Sequence, residues 1–554
     1  MQYCFDSYKG KGSSFPDCTP TLDQVQNLVR YGYKNCARRM YLLQLDAVES
    51  DPKVRIEKFM AKGQIALSRK DGNGVMGRLW RLREKLLIGE FCQACSGLDM
   101  GMTYEGLQQL HVRADLLEVF RRKSPAYHDN AYSRAPRHLG DTGLSAPQYW
   151  HPTYRVDAKQ KGFHLALIAH FPMSFGAEGL KECEPNVVRF EKALVKCLLD
   201  LEGDFPLAAP LVKPWIEVSA PLDEKGTEHF GYKDGITAPV YAASAPAQDA
   251  DGYRVQHALG EILLGHARND GNNLYADLGI ARKANANIEL QPVPLAERDK
   301  IFFNNSSFGV LRKIEQQVDV FDKWIEAQAQ KLFPQDVALG IDRGNDDPYY
   351  LSKKWIRSKL LGRTPEGVML TPEMRVRDMT DAGLEDALKA QGDKKDIDRK
   401  FHRRDDAGNP LPGDDSEGRG CPFSSHIRRM NPRDDAVTPF IHRPVLRRGL
   451  PYSQERKGLL GLFMCADIVE QFEHLVGIWA HHRVMGIPDD SQCRDPLIGN
   501  HEPQGNRFFM DSHDNAAAMN LAKFDEPFVI TRGCAYLWFP SLAVLGNFTS
   551  YTKR

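Results

Sequence analysis

The strongest constraint on this chain is the alternation of strand-like and helix-like segments, which runs through its first half and again through its second. Met40-Tyr41-Leu42-Leu43-Gln44-Leu45 reads as a buried strand. Asp51-Pro52 opens a helix with proline in its first turn and Ile56, Phe59 and Met60 on one face. Residues 91–98 predict a strand, and Thr103 caps a helix carrying Leu107 and Leu110. Phe163 to Ala169 alternates as a strand. Over 186–202, Val187, Phe190, Leu194, Cys197, Leu198 and Leu201 fall on one helical stripe, and Trp215-Ile216-Glu217-Val218 follows as a strand. Nearer the start, Leu22, Val25, Leu28 and Val29 have helical spacing. The second half predicts a strand from Ser307 to Ile314, a helix over 315–331, a strand over 458–465, a helix over 467–480 and a closing strand from Tyr536 to Phe539. No fixed-period repeat appears, so the pattern points to α+β or α/β layers and not to a solenoid.

A chain of 554 residues is too long for one ordinary core, so two domains are expected. The stretch 238–252, bearing proline, alanine and glycine, lies between the halves. The 73 basic and 73 acidic residues balance, which gives no support to nucleic acid or an anionic membrane as partner. The 11 cysteines are scattered and odd in number, unlike a disulfide framework. Cys92-x-x-Cys95 lacks the second pair a zinc site needs and the helix start a redox motif needs, so it reads as strand packing. The N-terminal residues show neither a basic nor an apolar signal region, and no apolar run approaches the roughly 20 residues of a membrane span. A cytoplasmic location is the resulting expectation. Residues 392–420, dense in Lys, Asp, Arg and Gly, read as a solvated loop.

Three short segments carry chemistry. Residues 421–433 read Cys-Pro-Phe-Ser-Ser-His-Ile-Arg-Arg-Met-Asn-Pro-Arg. His426, held in that structured context, suits an axial ligand of haem iron. Gly231-Tyr232-Lys233-Asp234-Gly235 is a tight turn presenting a carboxylate. Arg447-Arg448 precedes Gly449-Leu450-Pro451-Tyr452. Each has an ordinary reading: one of 17 histidines, a turn-forming aspartate, a salt-bridging arginine. An imidazole, an acid and a guanidinium together are the groups needed to split a peroxide on iron.

In combination these segments resemble the dye-decolorising peroxidases, a haem enzyme family built from two ferredoxin-like domains. The resemblance is spread over most of the chain. Phe230 and Gly231-Tyr232-Lys233-Asp234-Gly235 match the family's Gly-x-x-Asp-Gly turn. Leu139-Gly140-Asp141-Thr142-Gly143 with Trp150, Gly260 to Gly265, Asn305 to Gln316, Lys359 to Arg363, Arg447-Arg448-Gly449, Asp495-Pro496-Leu497-Ile498-Gly499 and Phe539-Pro540-Ser541 follow the family's order.

The resemblance implies an α+β fold of two ferredoxin-like domains with antiparallel sheets, residues 1–240 ending in the Gly-x-x-Asp-Gly turn and residues 241–554 holding the haem. It implies one haem b per chain, with His426 as iron ligand and Asp495 accepting from its other ring nitrogen. The ordinary reading of Asp495 is a turn-forming Asp-Pro step. Arg433 would pair with a haem propionate. Gly231, Gly235 and Leu459 would help line the cofactor. Asp234 would shuttle the peroxide proton, and Arg447 would stabilise charge on the departing oxygen. Tyr452 matches a family position for electron transfer to bulky donors; its ordinary reading is a packed tyrosine with a bonded hydroxyl.

The expected activity is hydrogen-peroxide-dependent, one-electron oxidation of dyes, phenols and similar aromatic donors. No nucleic acid or membrane is expected as partner, and an oligomer is compatible with the sequence. Alternatives are a haem-handling protein resembling the deferrochelatases, and a non-enzymatic haem-binding stress sensor; keeping both Asp234 and Arg447 favours the peroxidase. One departure stands out. The family has Gly-Leu-x-Phe where this chain has Gly458-Leu459-Leu460-Gly461. Gly461 either leaves the distal pocket open or is covered by Phe463. The roughly 6–7 Å spacing of alternate strand residues favours the open pocket.

Overall fold

The computed structural model describes residues 23–30, 32–33, 35–46, 51–67, 74–88, 95–157, 160–176, 179–182, 184–202, 205–223, 226–236, 238–242, 256–275, 297–332, 347–390, 401–405, 407–433, 443–481, 494–500, 506–511, 519–524 and 526–553. Fifteen strands occur in the described residues: β1 (Cys36–Asp46), β2 (Gln64–Ala66), β3 (Gly97–Met102), β4 (Leu165–Gly176), β5 (Gly179–Glu182), β6 (Ile216–Ser219), β7 (Val240–Ala242), β8 (Gln256–Ala258), β9 (Ser307–Gln316), β10 (Leu446–Arg447), β11 (Leu450–Tyr452), β12 (Gly458–Cys465), β13 (Asn506–Asp511), β14 (Met519–Phe524) and β15 (Val529–Phe539).

Eleven of them form one sheet. In the first half of the chain the order is β3-β4-β1-β6, every neighbouring pair antiparallel. In the second half it is β15-β9-β12, with β10 and β11 both pairing β12, again antiparallel. Numbered within each half, both orders are 2-3-1-4, the ferredoxin-like arrangement. Each half follows its first strand with a helix, α1 (Pro52–Lys62) or α3 (Val318–Leu332), and its third with another, α2 (Glu184–Leu199) or α4 (Ile468–Trp479), the last wound as a π-helix. The halves meet at two seams. At one, Trp538 of β15 pairs Met102 of β3. At the other, the Ala220 amide donates to the Pro451 carbonyl at 2.9 Å. These contacts close the two sheets into a barrel.

Local signals place these elements. Asp51 accepts from the Lys53 amide at 2.8 Å, Pro52 fills the first turn, and Gly63 ends α1 at φ 64°. Thr103 caps the helix Tyr104–Gln109 as its sequence predicts. Three boundaries move. The strand expected at 91–98 runs over 97–102, and residues 91–94 lie outside the described part. The helix expected from 315 begins at Val318, because Glu315 and Gln316 still pair in the ladder with Gly458, Ile530 and Val529. Among the described residues the first helical segment is only Asn27–Arg30. Cys95 is a buried thiol pushed up to about 12 by burial, and Cys92 lies outside the described residues.

Strand alternation sorts side chains by face. Tyr41 of β1 packs on Phe190 of α2, and Tyr41 and Arg39 bond its Glu191. Arg38, Met40 and Leu42 take the opposite face, into the barrel. In the second half Leu460, Leu462 and Met464 point inward, all with zero exposure. A second apolar cluster, including Phe321, Ile325, Trp355 and Leu360, packs α3 against the helix Tyr350–Leu361. Among the described residues no helix is long and apolar enough to cross a membrane.

Two barrel-wall histidines make stability depend on pH. His164 Nδ1 accepts from the Leu45 amide at 2.9 Å, and burial lowers its pKa to about 4. His170 stacks on Tyr33 at 3.6 Å, and burial likewise takes it to about 4. Both folded values lie below the roughly 6.5 of an unfolded histidine. Between those values the unfolded chain binds more protons, so this stability is full above about pH 6.5 and is lost as pH falls toward 4. The slope is about 1.4 kcal/mol per pH unit for each group. Urea midpoints should drop from pH 7 to pH 5, and His170→Phe should flatten the drop. Equal midpoints at the two pH values would count against buried neutral histidines.

Candidate active site

His426 begins a short helix, α5 (His426–Met430), directly after a turn in which the Ser425 amide donates to Pro422 O at 2.9 Å. Two buried arginines anchor that helix. Arg428 lies between the rings of Phe401 and Phe423, 4.0 and 4.1 Å from their centroids, and donates to Cys421 O at 2.8 Å and to Asp415. Arg429 donates to Ser424 O at 3.2 Å and to Trp479 O at 2.8 Å. Asp415 also accepts from the Gly420 and Cys421 amides, both at 2.8 Å. The expectation of a solvated loop over 392–420 is therefore corrected for its described end. Phe401 and Asp415 are buried there and brace the histidine helix. Composition hid this, because a charge run reads as solvated unless its partners are known.

His426 and Asp495 are brought together. The Nδ1 of His426 donates to Asp495 Oδ2 at 2.9 Å, while Oδ1 accepts from the amides of Leu497 at 2.9 Å and Ile498 at 3.0 Å. Asp495 thus both forms the turn and pairs with His426. Burial alone would raise its pKa, but His426, Arg429 and the Ile498 amide outweigh that and hold it below the usual carboxylate range. The imidazole is 27% exposed. The Asp495 loop is docked in turn. Its amide donates to Ala480 O at 2.8 Å. The Asn500 amide donates to His481 Nε2 at 3.0 Å, and the Asn500 side chain donates to Gly140 O and Thr142 O.

Arg447 belongs to one face of the second-half sheet. Leu459, Gly461 and Phe463 alternate along β12, and the register sets Arg447 against Phe463 and Arg312 against Gly461. Arg447, which is exposed, and partly buried Leu459 therefore share a face. α4 packs on it, with Phe463 and Phe472 at 5.1 Å between centroids. The expectation of an open pocket at Gly461 is corrected. A Cβ at 461 would lie 2.5 Å from Phe463 Cε2, so that ring already occupies the space. Spacing along the strand missed this because a phenylalanine ring reaches sideways across the alternate position.

Asp234 sits on a separate loop. Gly231 and Gly235 have φ of 86° and 71°, a left-handed backbone that a side chain disfavours. The Asp234 amide donates to Gly226 O at 2.8 Å, and Oδ1 accepts from the Gly235 amide at 2.6 Å. Its carboxylate is exposed. Glu228, which sequence reasoning passed over, organises this loop: it accepts from the Phe230 and Tyr232 amides at 3.0 and 2.9 Å and from Gln316, and burial raises its pKa. An acid three residues before a turn glycine was the available signal. Arg433 is buried at φ 54°, its guanidinium 4.6 Å from the Phe401 ring. Tyr452 is buried, with the Lys313 ammonium 5.1 Å from its ring centroid. Its hydroxyl has no hydrogen-bond partner among the described residues, unlike the bonded hydroxyl of the ordinary reading.

Two ferredoxin-like sheets closed into a barrel are a fold this chain shares with solved dye-decolorising peroxidases. An ancestral D-type dye-decolorising peroxidase shares the fold at a TM-score of 0.60 and 20% identity, covering 96% of this chain and 99% of that one. A fungal peroxidase of this type from Auricularia auricula-judae does so at 0.57 and 16%, covering 96% and 99%. A multifunctional dye peroxidase of Amycolatopsis sp. is 27% identical over 346 residues, 58% of this chain and 60% of that protein's length. A dye-decolorizing peroxidase of Mycetinis scorodonius is 22% identical over 487 residues, 83% and 77% of the two chains. No protein-family profile matches. In sequence and in fold the chain is thus similar to dye-decolorising peroxidases.

The covered glycine yields a test. Gly461→Ala must push the Phe463 ring off its position, an overpacking that typically costs roughly 1–3 kcal/mol. Its thermal midpoint should fall, and Phe463→Ala in the same chain should remove most of the added loss. An unchanged midpoint in the single variant would place the ring elsewhere.

Proposed function

We propose that this chain is a hydrogen-peroxide-dependent haem peroxidase that oxidises dyes, phenols and similar aromatic donors one electron at a time. The observation that carries the reading is the His426–Asp495 pair, in a fold shared with solved dye-decolorising peroxidases. We infer one haem b per chain, held by residues of 241–554, with the turn that closes 1–240 contributing Asp234 from the side. The fit rests on His426: one ring nitrogen is committed to a buried carboxylate, and the ring's exposed edge leaves the other for iron. Bound haem would supply the redox chemistry that reduces peroxide.

The protein groups do the rest. Asp495 fixes the tautomer of His426 and makes its imidazole a stronger donor. Arg447 holds fixed positive charge where the departing peroxide oxygen becomes negative, worth several kcal/mol on the scale of one oxyanion donor, roughly 3–4 kcal/mol. Asp234, with Oδ1 tied to the Gly235 amide, carries the peroxide proton on Oδ2. Leu459, Gly231 and Gly235 shape the walls. Arg433 sits beside the histidine helix, where a propionate would meet it. Tyr452 passes electrons to donors too large to enter.

His426→Ala should lose most bound haem, read from the visible spectrum; an unchanged spectrum would remove His426 as ligand. Asp495→Asn should keep haem and raise its reduction potential, because a neutral acceptor weakens the imidazole donor. Arg447→Leu and Asp234→Asn should keep haem but slow the peroxide step by roughly 10²-fold for whichever dominates. We assign that role to Arg447. Stopped-flow rates unchanged in both variants would sink this assignment.

A further inference from the structure

The strand that presents Arg447 is weakly held by its own ladder. β10 has two residues, lies at the sheet edge and, among the described residues, pairs with β12 alone. A strand that short fixes a long side chain poorly. The neighbouring residue, Arg448, is pinned from three directions. Its amide donates to Leu462 O at 2.7 Å. Its guanidinium donates to Leu28 O at 2.9 Å and Val29 O at 3.2 Å, closing over Gly32, whose Cβ would lie 3.1 Å from Arg448 Cζ. Its carbonyl accepts from Arg38 Nη1. The segment also lies tight on the site floor, since a Cβ on Gly449 would be 3.2 Å from Gly461 Cα.

Arg38 is an unusual residue to find there. It lies on β1, in the row Gly97–His170–Arg38–Ser219 that crosses the barrel interior. It is 3% exposed, and among the described residues no carboxylate lies within salt-bridge distance. The nearest acid, Asp99, is engaged by the Tyr33 hydroxyl at 3.0 Å and the Leu28 amide at 3.3 Å. Among the described residues Arg38 Nε, the His170 nitrogens and Ser219 Oγ have no hydrogen-bond partner, His170 Nε2 lying 3.6 Å from Asp99 Oδ2. Burial, then Arg448, lowers its pKa to about 10, which still leaves it charged at neutral pH. A buried, unpaired cation opposes folding, and an apolar side chain of similar volume would not. Its hydrogen bond goes to the carbonyl one residue beyond Arg447.

We propose that Arg38 is a positioning residue for Arg447: from the first half of the chain it holds the Arg448 carbonyl and so fixes the edge strand that aims the Arg447 guanidinium into the site. This rests on the role given to Arg447 above. A displacement on the order of 1 Å at such a group can cost up to roughly a hundredfold in rate.

The test is a double-mutant cycle on haem-loaded protein with Arg38→Met, Arg447→Leu and their combination, and Arg38→Lys as the conservative variant. Fluoride, a small anion that ligates ferric haem and accepts hydrogen bonds, reports equilibrium placement of the cation through the visible spectrum. Arg447→Leu should weaken fluoride binding roughly tenfold. Arg38→Met should weaken it by a comparable factor and slow the peroxide step likewise, while its thermal midpoint stays equal or rises. In the combined variant Arg38→Met should add nothing, and Arg38→Lys should recover most of the loss. Additive losses, or a midpoint that falls with fluoride affinity, would reduce Arg38 to a structural role and overturn the proposal. A silent Arg38→Met beside an effective Arg447→Leu overturns this inference alone; a silent Arg447→Leu overturns the role of Arg447 and this inference with it.

Discussion

The ion pair between Arg312 and Asp141 ties the second-half sheet to the first-half loop on which the Asp495 segment docks. Arg312 stands on β9, the central strand of the second half, opposite Gly461 on the site face. Asp141 comes from a loop of the first half. The guanidinium donates to both carboxylate oxygens, at 2.6 and 2.9 Å, and Thr531 of β15 bonds both partners. Burial alone would lower the arginine's pKa, but Asp141 outweighs it and keeps the charge in place. The loop so fixed offers Gly140 O and Thr142 O to Asn500, which lies five residues beyond Asp495. A buried pair of this kind adds little over a well-packed apolar pair, yet removing one partner costs roughly 3–5 kcal/mol. Its value here is registry between the halves and the Asp495 loop.

The barrel interior shows the same preference for placement over stability. An apolar lining would satisfy the core, and Met40, Leu42, Leu460 and Leu462 supply it. Arg38, His170 and Ser219 interrupt it with polar atoms that lack hydrogen-bond partners among the described residues. Such groups weaken the fold, and sites that carry function are where they are found. In the proposed reading the site is assembled across the seam between halves, and Arg38 of the first half reaches the Arg448 carbonyl of the second.

Much of the architecture is legible in local sequence. Alternation marked β1, β4, β9 and β12, a helical stripe marked α2, and Asp51-Pro52 and Thr103 marked helix starts. Gly231 and Gly235 marked a turn that needs left-handed backbone. The sequence also marked His426, Asp495 and Arg447 through short ordered segments. It did not reveal that Asp415 and Arg428 are buried, because burial of a charge depends on partners that composition does not name. It misplaced the fill at Gly461, because period two says which face a residue takes and not how far a ring reaches.

Local sequence therefore determined the elements, their faces and the reactive side chains, since strand and helix periods are short-range properties of the chain. Tertiary structure alone decided which of those side chains meet. His426 and Asp495 are 69 residues apart, Asp141 and Arg312 are 171 apart, and Arg38 and Arg448 are 410 apart. Their contact follows from strand order and from the closure of two sheets at their seams. Pairing order is set by burying both sheets' apolar faces at once, a property of the whole chain that no single segment encodes.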